Sequence, residues 1–489
     1  MAEITLPENY FKKVLLWTDI ILLQMLVAGL YLVLEWQLFF SIAALVAMAA
    51  IFILKPEWSL YLLIFCVVIF WNAIGVTFIA HKSSALIDHM NTMPIYLPLV
   101  LIGLGCVGIR IAAQIQSPVN SGNPLNIPIF ILFIYSLYSI TWTANLQYSL
   151  FAFAFFSFVI LLYYYTYFMD LNEKIYKKCI WCWIFTGIIL SVLTIISIIY
   201  TPGFCITENL ANDFHLIFRY ETNMEERGYA LMHPNYTSYT LNAPIGLIIG
   251  LLILSKSYCQ RFLLFFLLIL MLFANCLTLS KGGIGSCLIM ICCIITGSSE
   301  LRKKAVYILP VFTIIFVVIR IGAVAFIEIF GNAFHARLFE SGGKLMSISG
   351  RLENWQHGFD LLQKKGLLLK GLGLGGFQHY TEYLNHAHSL YLAFYFDFGL
   401  VGIICGLSIL FIIINVLFKN GIFLFFNQSS HYQTMRLVFT SILIAYLIHG
   451  LVDFWYSQTF LWFFMGFAMV TFNFANMDDQ RWKTTKGAK

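Results

Sequence analysis

Apolar runs of about 20 residues, each long enough to cross a bilayer, succeed one another along nearly the whole chain. They lie near residues 14–35, 38–54, 58–80, 94–115, 127–143, 147–170, 179–200, 235–255, 262–280, 283–298, 305–329, 388–418, 436–453 and 459–475. Of 489 residues, 60% are hydrophobic and 11% charged, whereas an ordinary soluble domain is about 45–50% apolar and about 25% charged. Such a chain lacks the polar surface to cover a soluble core. A soluble enzyme, a nucleic-acid binder and a disordered scaffold are excluded. The expected fold is all-α, a polytopic integral membrane protein of about 12–14 transmembrane helices, with residues 1–489 forming a single membrane domain.

Charge orients the spans. With the N-terminus taken as cytoplasmic, alternate short connections carry the cations: Lys12-Lys13, Lys55, Arg110, Lys174 with Lys177-Lys178, Lys256 with Arg261, Arg302 to Lys304, Lys419 with Arg436, and the tail. The opposite short connections, around Glu35, Asn145 and Asp453, carry almost none. The positive-inside rule then places both termini in the cytoplasm. The N-terminal MAEITLPENYFKK has no small-residue cleavage site after its first apolar run, so a retained helix is expected rather than a signal peptide. The net charge of +6 reflects this orientation more than an anionic partner. The 11 cysteines lie almost all in or beside apolar stretches, and the Cys179/Cys182 C-x-x-C reads as packing rather than redox or metal chemistry.

Two outward connections break the charge pattern: about 201–234, with Arg219 and Arg227, and about 330–387, with Arg337, Lys344, Arg351, Lys364, Lys365 and Lys370. Long loops translocate regardless of charge, and a loop of this length is usually functional or disordered. In the second, Leu352, Trp355, Phe359 and Leu362 recur at three- and four-residue spacing after Ser349-Gly350. That predicts an amphipathic helix, on the outer membrane surface, roofing a cavity between the spans.

Few motifs carry chemistry. Gly371, Gly373 and Gly376 match G-x-G-x-x-G, but no strand-to-helix unit surrounds them, so a flexible turn over a site is expected there. His386 and His388 lack further ligands at metal spacing, and no metal site is expected. What remains is a set of cations and an imidazole at the outer boundary: Arg227 ahead of Pro234-Asn235, Lys281 in LSKGG, Arg351 at the start of the amphipathic helix, and His388 where the loop re-enters the membrane. Arginine holds phosphate oxygens bidentately and lysine acts as a point charge, so together they can stabilise a departing diphosphate. An imidazole beside them can take a proton from an attacking hydroxyl.

These residues resemble the O-antigen ligase and polymerase superfamily of bacterial envelope glycan assembly. His388-Ser389, nine residues, Gly399, two residues and Gly402 match its C-terminal signature. SGRLENWQHGFDLL followed by GLGLGGF is similar to its S-G-R-x-x-x-W segment and glycine-rich turn, and Arg227-Gly228 with Pro234-Asn235 to its R-G…P-N segment. The resemblance covers roughly 225–475. The chain departs from it at Ser280-Lys281-Gly282, where the family commonly has Ser-Arg-Gly; lysine keeps the charge and loses the fork.

The resemblance implies an inverting membrane glycosyltransferase of the bacterial cytoplasmic membrane, with its active site on the extracytoplasmic side and 330–387 as its catalytic loop. It implies undecaprenyl-diphosphate-linked glycan as donor and acceptor, a surface polysaccharide (O-antigen, capsule or exopolysaccharide) as product, and no metal, nucleotide or other cofactor. His388 is then the base, and Arg227, Lys281 and Arg351 are ligands of the leaving diphosphate. Arg320, Trp355, Asn235 and Gly373 are supporting candidates. A chain-length regulator and a flippase are possible partners; nucleic acid is not. The alternatives are a ligase moving finished glycan to a lipid or protein, and a flippase for the same lipid-linked sugar.

Each residue also has a plainer reading. His388 can be a helix-terminus histidine at the interface. Arg351 can pair with Glu353 or Glu340 or snorkel to lipid phosphate, and Arg227 can pair with Glu225 or Glu226. Arg320, inside an apolar run, is either a cavity-lining group or the mark of a span's end. Asp397 and His449 read as buried polar contacts between helices.

Overall fold

The computed structural model describes residues 56–69, 75–77, 92–94, 123–169, 171–199, 216–217, 234–330, 348–380, 387–419, 431–453 and 458–487. Over these residues the chain is mainly helical, with three short strands and the turns between elements. In order, the elements are α1 (Pro56–Ile69), β1 (Gly75–Thr77), β2 (Thr92–Pro94), α2 (Asn126–Ser139) with a 3₁₀ turn at Ile140–Trp142, α3 (Leu146–Phe168), α4 (Glu173–Ile199) and β3 (Leu216–Ile217). There follow α5 (Pro234–Leu254), α6 (Tyr258–Leu277), α7 (Lys281–Gly297), α8 (Ser299–Arg302), α9 (Ala305–Phe330), α10 (Ile348–Lys364), α11 (Gly376–Tyr380), α12 (Leu390–Lys419), α13 (His431–His449) and α14 (Thr459–Gly487).

Six of these helices are long and apolar enough to cross a membrane: α3, α4, α5, α6, α9 through Ile327, and α12 through Asn415. Three shorter apolar stretches, Asn126–Trp142, Lys281–Gly297 and Thr459–Ala475, stand beside them. The fold is that of an all-α polytopic membrane protein. The spans expected at 14–35 and 38–54, and most of 94–115, lie outside the described residues. The run 58–80 is not one continuous helix, because α1 ends at Ile69 and β1 follows. β1 pairs antiparallel with β2 on one side and with β3 on the other.

The bundle is organised around α5, which is buried from Thr237 to Leu251 and packs against α4, α6, α7 and α13. A helix enclosed on every side must satisfy its polar groups against its neighbours. It does so through a network shared by three helices. Ser238 Oγ donates to Asn275 Oδ1 at 3.0 Å, Asn275 Nδ2 donates to Asn242 Oδ1 at 3.2 Å, and Asn242 Nδ2 donates to Ser286 Oγ at 2.9 Å. Around this centre α3 packs on α14, α13 lies between α7 and α14, and α2 lies along α12. By contrast α9 turns Val306, Tyr307, Ile314, Val318 and Ile321 outward, as a helix at the rim of a bundle does where lipid is the solvent.

The expected amphipathic helix is present as α10, with Ser349 and Gly350 inside its first turn. It packs against α12. Leu362 is fully buried and Gly358 lies against the Phe396 ring, while Leu352 and Phe359 remain 51% and 42% exposed.

Candidate functional site

The site is assembled where five segments end at one side of the bundle: the start of α5, the start of α7, the first turns of α10, the start of α12, and the turn closing α13. His388 stands just ahead of α12. Ser389 follows it and caps the helix, its Oγ accepting from the Leu392 N–H at 3.5 Å, the ordinary reason for a serine at a helix start. His388 itself takes a positive φ of 46°, a conformation disfavoured for a residue with a Cβ and retained only where neighbours impose it. Two contacts impose it here. Trp355 Nε1 of α10 donates to Ala387 O at 2.6 Å, and the Leu390 N–H donates to Gly450 O at 2.7 Å.

The turn from His449 to Asp453 is the hub. Its backbone curls back on α13, with the Val452 and Asp453 N–H groups both donating to His449 O at 3.0 and 3.1 Å. This aims its outward groups at three other elements. Gly450 O receives α12, and Val452 O accepts from an Arg351 Nη1 of α10. The Asp453 carboxylate lies 3.6 Å from His388 Nδ1 through Oδ1 and accepts from Asn235 Nδ2 at 2.8 Å through Oδ2. The side chains of His388 and Asp453 are 16% and 5% exposed, so the pair is nearly withdrawn from water and poorly screened. Arg351 and Trp355, one helical turn apart on α10, serve the same corner: the indole holds the approach to His388 and the guanidinium reaches the hub. Arg351 Nε is buried and has no hydrogen-bond partner among the described residues.

The start of α7 explains the Ser-Lys-Gly-Gly sequence locally. Ser280 caps the helix by accepting from the Gly283 N–H at 3.2 Å. A Cβ at Gly282 would stand 2.6 Å from His449 Nε2, so only glycine lets the two helices approach here. Lys281 remains exposed at the same helix start, one residue from the contact with His449. His449 is 2% exposed and stacks edge-on with Tyr239 of α5 at 5.8 Å, in keeping with a buried contact between helices.

The glycine-rich turn is a correction to the flexible turn expected from its sequence. Gly371 to Phe377 is buried throughout and is held by Asp397 of α12. That carboxylate accepts from the Gly375 N–H at 3.1 Å and the Phe377 N–H at 3.0 Å, at the start of α11. Gly373 donates its N–H to Asp397 O at 3.0 Å. The two glycines of the His-Ser signature belong to the same device. Gly399 kinks α12 with a φ of 57°, and a Cβ on it would lie 2.2 Å from Leu369 O. A Cβ on Gly402 would lie 2.3 Å from Phe394 O. The signature spacing therefore measures the distance from the capped start of α12 to its kink, where the glycine-rich turn docks. Gly373 sits in this scaffold and not in the corner around His388.

Of the residues singled out from sequence, the structure brings His388, Arg351, Trp355 and Asn235 to one turn, with Lys281 at the adjoining helix start. Arg320 stands apart. Its Nη1 donates to Cys276 O at 2.8 Å, so this intramembrane guanidinium satisfies the C-terminal end of α6, where a cation is favoured. Arg227 lies outside the described residues. Asp453 was not singled out, although it touches both His388 and Asn235; its only signal was an acid in an outward connection lacking cations. Among the described residues no three His, Cys, Asp or Glu side chains are arranged to hold a metal ion.

The corner thus joins a carboxylate-backed imidazole to a guanidinium, a combination suited to moving a proton beside a developing anion. Residues 266–407 match the family model described as O-Antigen ligase, a stretch that contains Lys281, Arg351, Trp355, His388, Gly399 and Gly402. No curated protein matches the chain. With six membrane-length helices, this supports a bacterial inner-membrane enzyme of the ligase or polymerase type. The chain is a membrane protein in which residues 266–407 are similar to the O-antigen ligase family.

Proposed function

We propose that the protein is a glycosyltransferase that polymerises undecaprenyl-diphosphate-linked oligosaccharide repeats into a cell-surface polysaccharide at the outer face of the cytoplasmic membrane. The observation that carries this reading is the convergence on one turn of the His388–Asp453 pair and the Arg351 guanidinium, whose buried Nε–H has no partner among the described residues. A buried charged donor left unsatisfied is costly, and a diphosphate oxygen would satisfy it.

In this scheme Nδ1 of His388 faces the Asp453 carboxylate, so proton exchange with substrate falls to Nε2. The acceptor hydroxyl gives its proton to Nε2 as its oxygen attacks the anomeric carbon of the donor from the face opposite the diphosphate. The carbon–oxygen bond to the diphosphate breaks, the leaving group takes the electron pair, and the configuration inverts. Arg351, Lys281 and Arg227 stabilise the charge that grows on the diphosphate. Asp453 stabilises the imidazolium and fixes the ring. Asn235 holds Asp453, and Trp355 holds the backbone before His388.

The test is a reconstituted assay with a lipid-diphosphate-linked repeat as the sole sugar substrate. A ladder of longer lipid-linked glycans supports the polymerase. Transfer only when a separate lipid or protein acceptor is added points to the ligase. Movement of intact lipid-linked repeat across vesicles without new glycosidic bonds points to a flippase and overturns the assignment as an enzyme.

A further inference from the structure

The opposite end of the bundle carries a cavity with a partly polar lining. α13 runs 19 residues from His431 to His449, about 28 Å at the helical rise, so its first residue lies across the bundle from the corner at His388. The end of α5, the start of α6 and the start of α4 meet it there. Between them is a cavity of about 220 Å³ whose polar lining is Lys177, Ser255, Lys256, Gln260 and His431, with Trp181 at its mouth.

Three features suit this cavity to an anion. Its ionisable lining is entirely basic; Lys177 is paired with Glu173 at 2.6 Å, while Lys256 is exposed on the turn between α5 and α6. His431 Nε2 is buried at the cavity and has no hydrogen-bond partner among the described residues. The turn that presents Lys256 is built rather than loose: Arg261 Nε donates to Ser255 O at 2.8 Å and Ser255 Oγ donates to Gln260 Oε1 at 3.0 Å. Burial, and then the neighbouring Lys177, hold the His431 imidazole below its ordinary range, with Glu173 opposing them. Trp181 is 43% exposed, as an indole at a membrane–water boundary is, and Lys174, Lys178 and Arg261 are exposed at the same end.

We propose that this cavity binds a phosphate group, presented by the headgroup of an anionic phospholipid at the membrane boundary. Basic pockets between transmembrane helices are suited to such headgroups. Bound there, the lipid would tie α4, the α5–α6 turn and α13 together from the side opposite the proposed chemistry.

The test uses the full-length protein, stripped of lipid in neutral detergent and titrated with phosphatidylglycerol, phosphatidylcholine or inorganic phosphate. Thermal unfolding and native mass spectrometry are the readouts. Phosphatidylglycerol is expected to bind and raise Tm where phosphatidylcholine does not. Lys256→Gln and His431→Gln should each weaken that binding, Lys256→Gln by about fivefold, and Lys256→Arg should retain it. A saturable Tm rise with inorganic phosphate, lost in Lys256→Gln, would assign the site to a free anion instead of a lipid. Equal retention of the two lipids, or undiminished phosphatidylglycerol binding by a folded triple variant lacking Lys177, Lys256 and His431, would overturn the proposal.

Discussion

Replacing Asp453 by asparagine removes a charge while keeping the shape of the side chain, and so isolates what the carboxylate does for His388. The carboxylate oxygen and the imidazole nitrogen are 3.6 Å apart. At an effective dielectric of about 20, opposite unit charges at that distance attract by about 4–5 kcal/mol. The full attraction exists only once the imidazole is charged, which in the proposed reaction happens as the acceptor hydroxyl is deprotonated. Residual exposure of the histidine and reorientation of the asparagine reduce the loss to about 3–4 kcal/mol, or a 10²- to 10³-fold fall in kcat. The asparagine can still meet Asn235, so folding should persist. The assay is chain extension in proteoliposomes with a lipid-linked repeat, measured as kcat and KM for the wild type, Asp453→Asn, His388→Ala and the double variant. The expected pattern is a fall in kcat with KM changed less than about threefold, and a double variant no slower than His388→Ala alone, because the two residues act as a unit. An Asp453→Asn enzyme within threefold of wild type, beside an inactive His388→Ala, would refute the positioning role. Independent, additive losses would refute the pairing.

The other expectations concern the leaving group, the scaffold and the bundle. Arg351→Lys keeps the charge but loses the guanidinium fork, and should lower kcat/KM about tenfold, with Arg351→Ala lower by a further tenfold or more; equal activity of the lysine variant and wild type would show that the fork is not used. Gly399→Ala places a Cβ 2.2 Å from Leu369 O at a positive φ, and should destabilise the protein by about 3 kcal/mol or more, seen as a lowered Tm or loss of the monodisperse species in detergent. Asn275→Leu removes hydrogen bonds linking α6 to α5 and should cost about 1–2 kcal/mol; an unchanged Tm would mean that the network contributes nothing to helix association.

Much of the fold is visible in the sequence because, in lipid, apolar run length and helix length are nearly the same quantity. The runs at 235–255, 283–298 and 305–329 correspond to α5, α7 and α9 within two residues at each end. The run at 58–80 failed because hydropathy does not distinguish a helix from the short strand that follows α1. The amphipathic helix was readable from its spacing, and Arg351 and Trp355 from their resemblance to a known segment. The glycine-rich turn misled. A cluster of glycines looks mobile until its partner is known, and that partner, Asp397, lies some twenty residues away across the docking of two elements. Asp453 escaped for a related reason: a single acid in a short connection acquires meaning only when the turn after α13 is seen to face the start of α12. Arg320 could be read two ways because the sequence does not show that Cys276 O, at the end of a neighbouring helix, accepts from it.

The central claim is that His388 takes the acceptor's proton while a diphosphate leaves. It is tested most directly by supplying a lipid-diphosphate-linked repeat to purified wild-type and His388→Ala protein in the same vesicles, and following glycan length together with release of the polyprenyl diphosphate. The account predicts one diphosphate released per bond formed with the wild type, and neither product with a correctly inserted His388→Ala. Undiminished extension by that variant would contradict it.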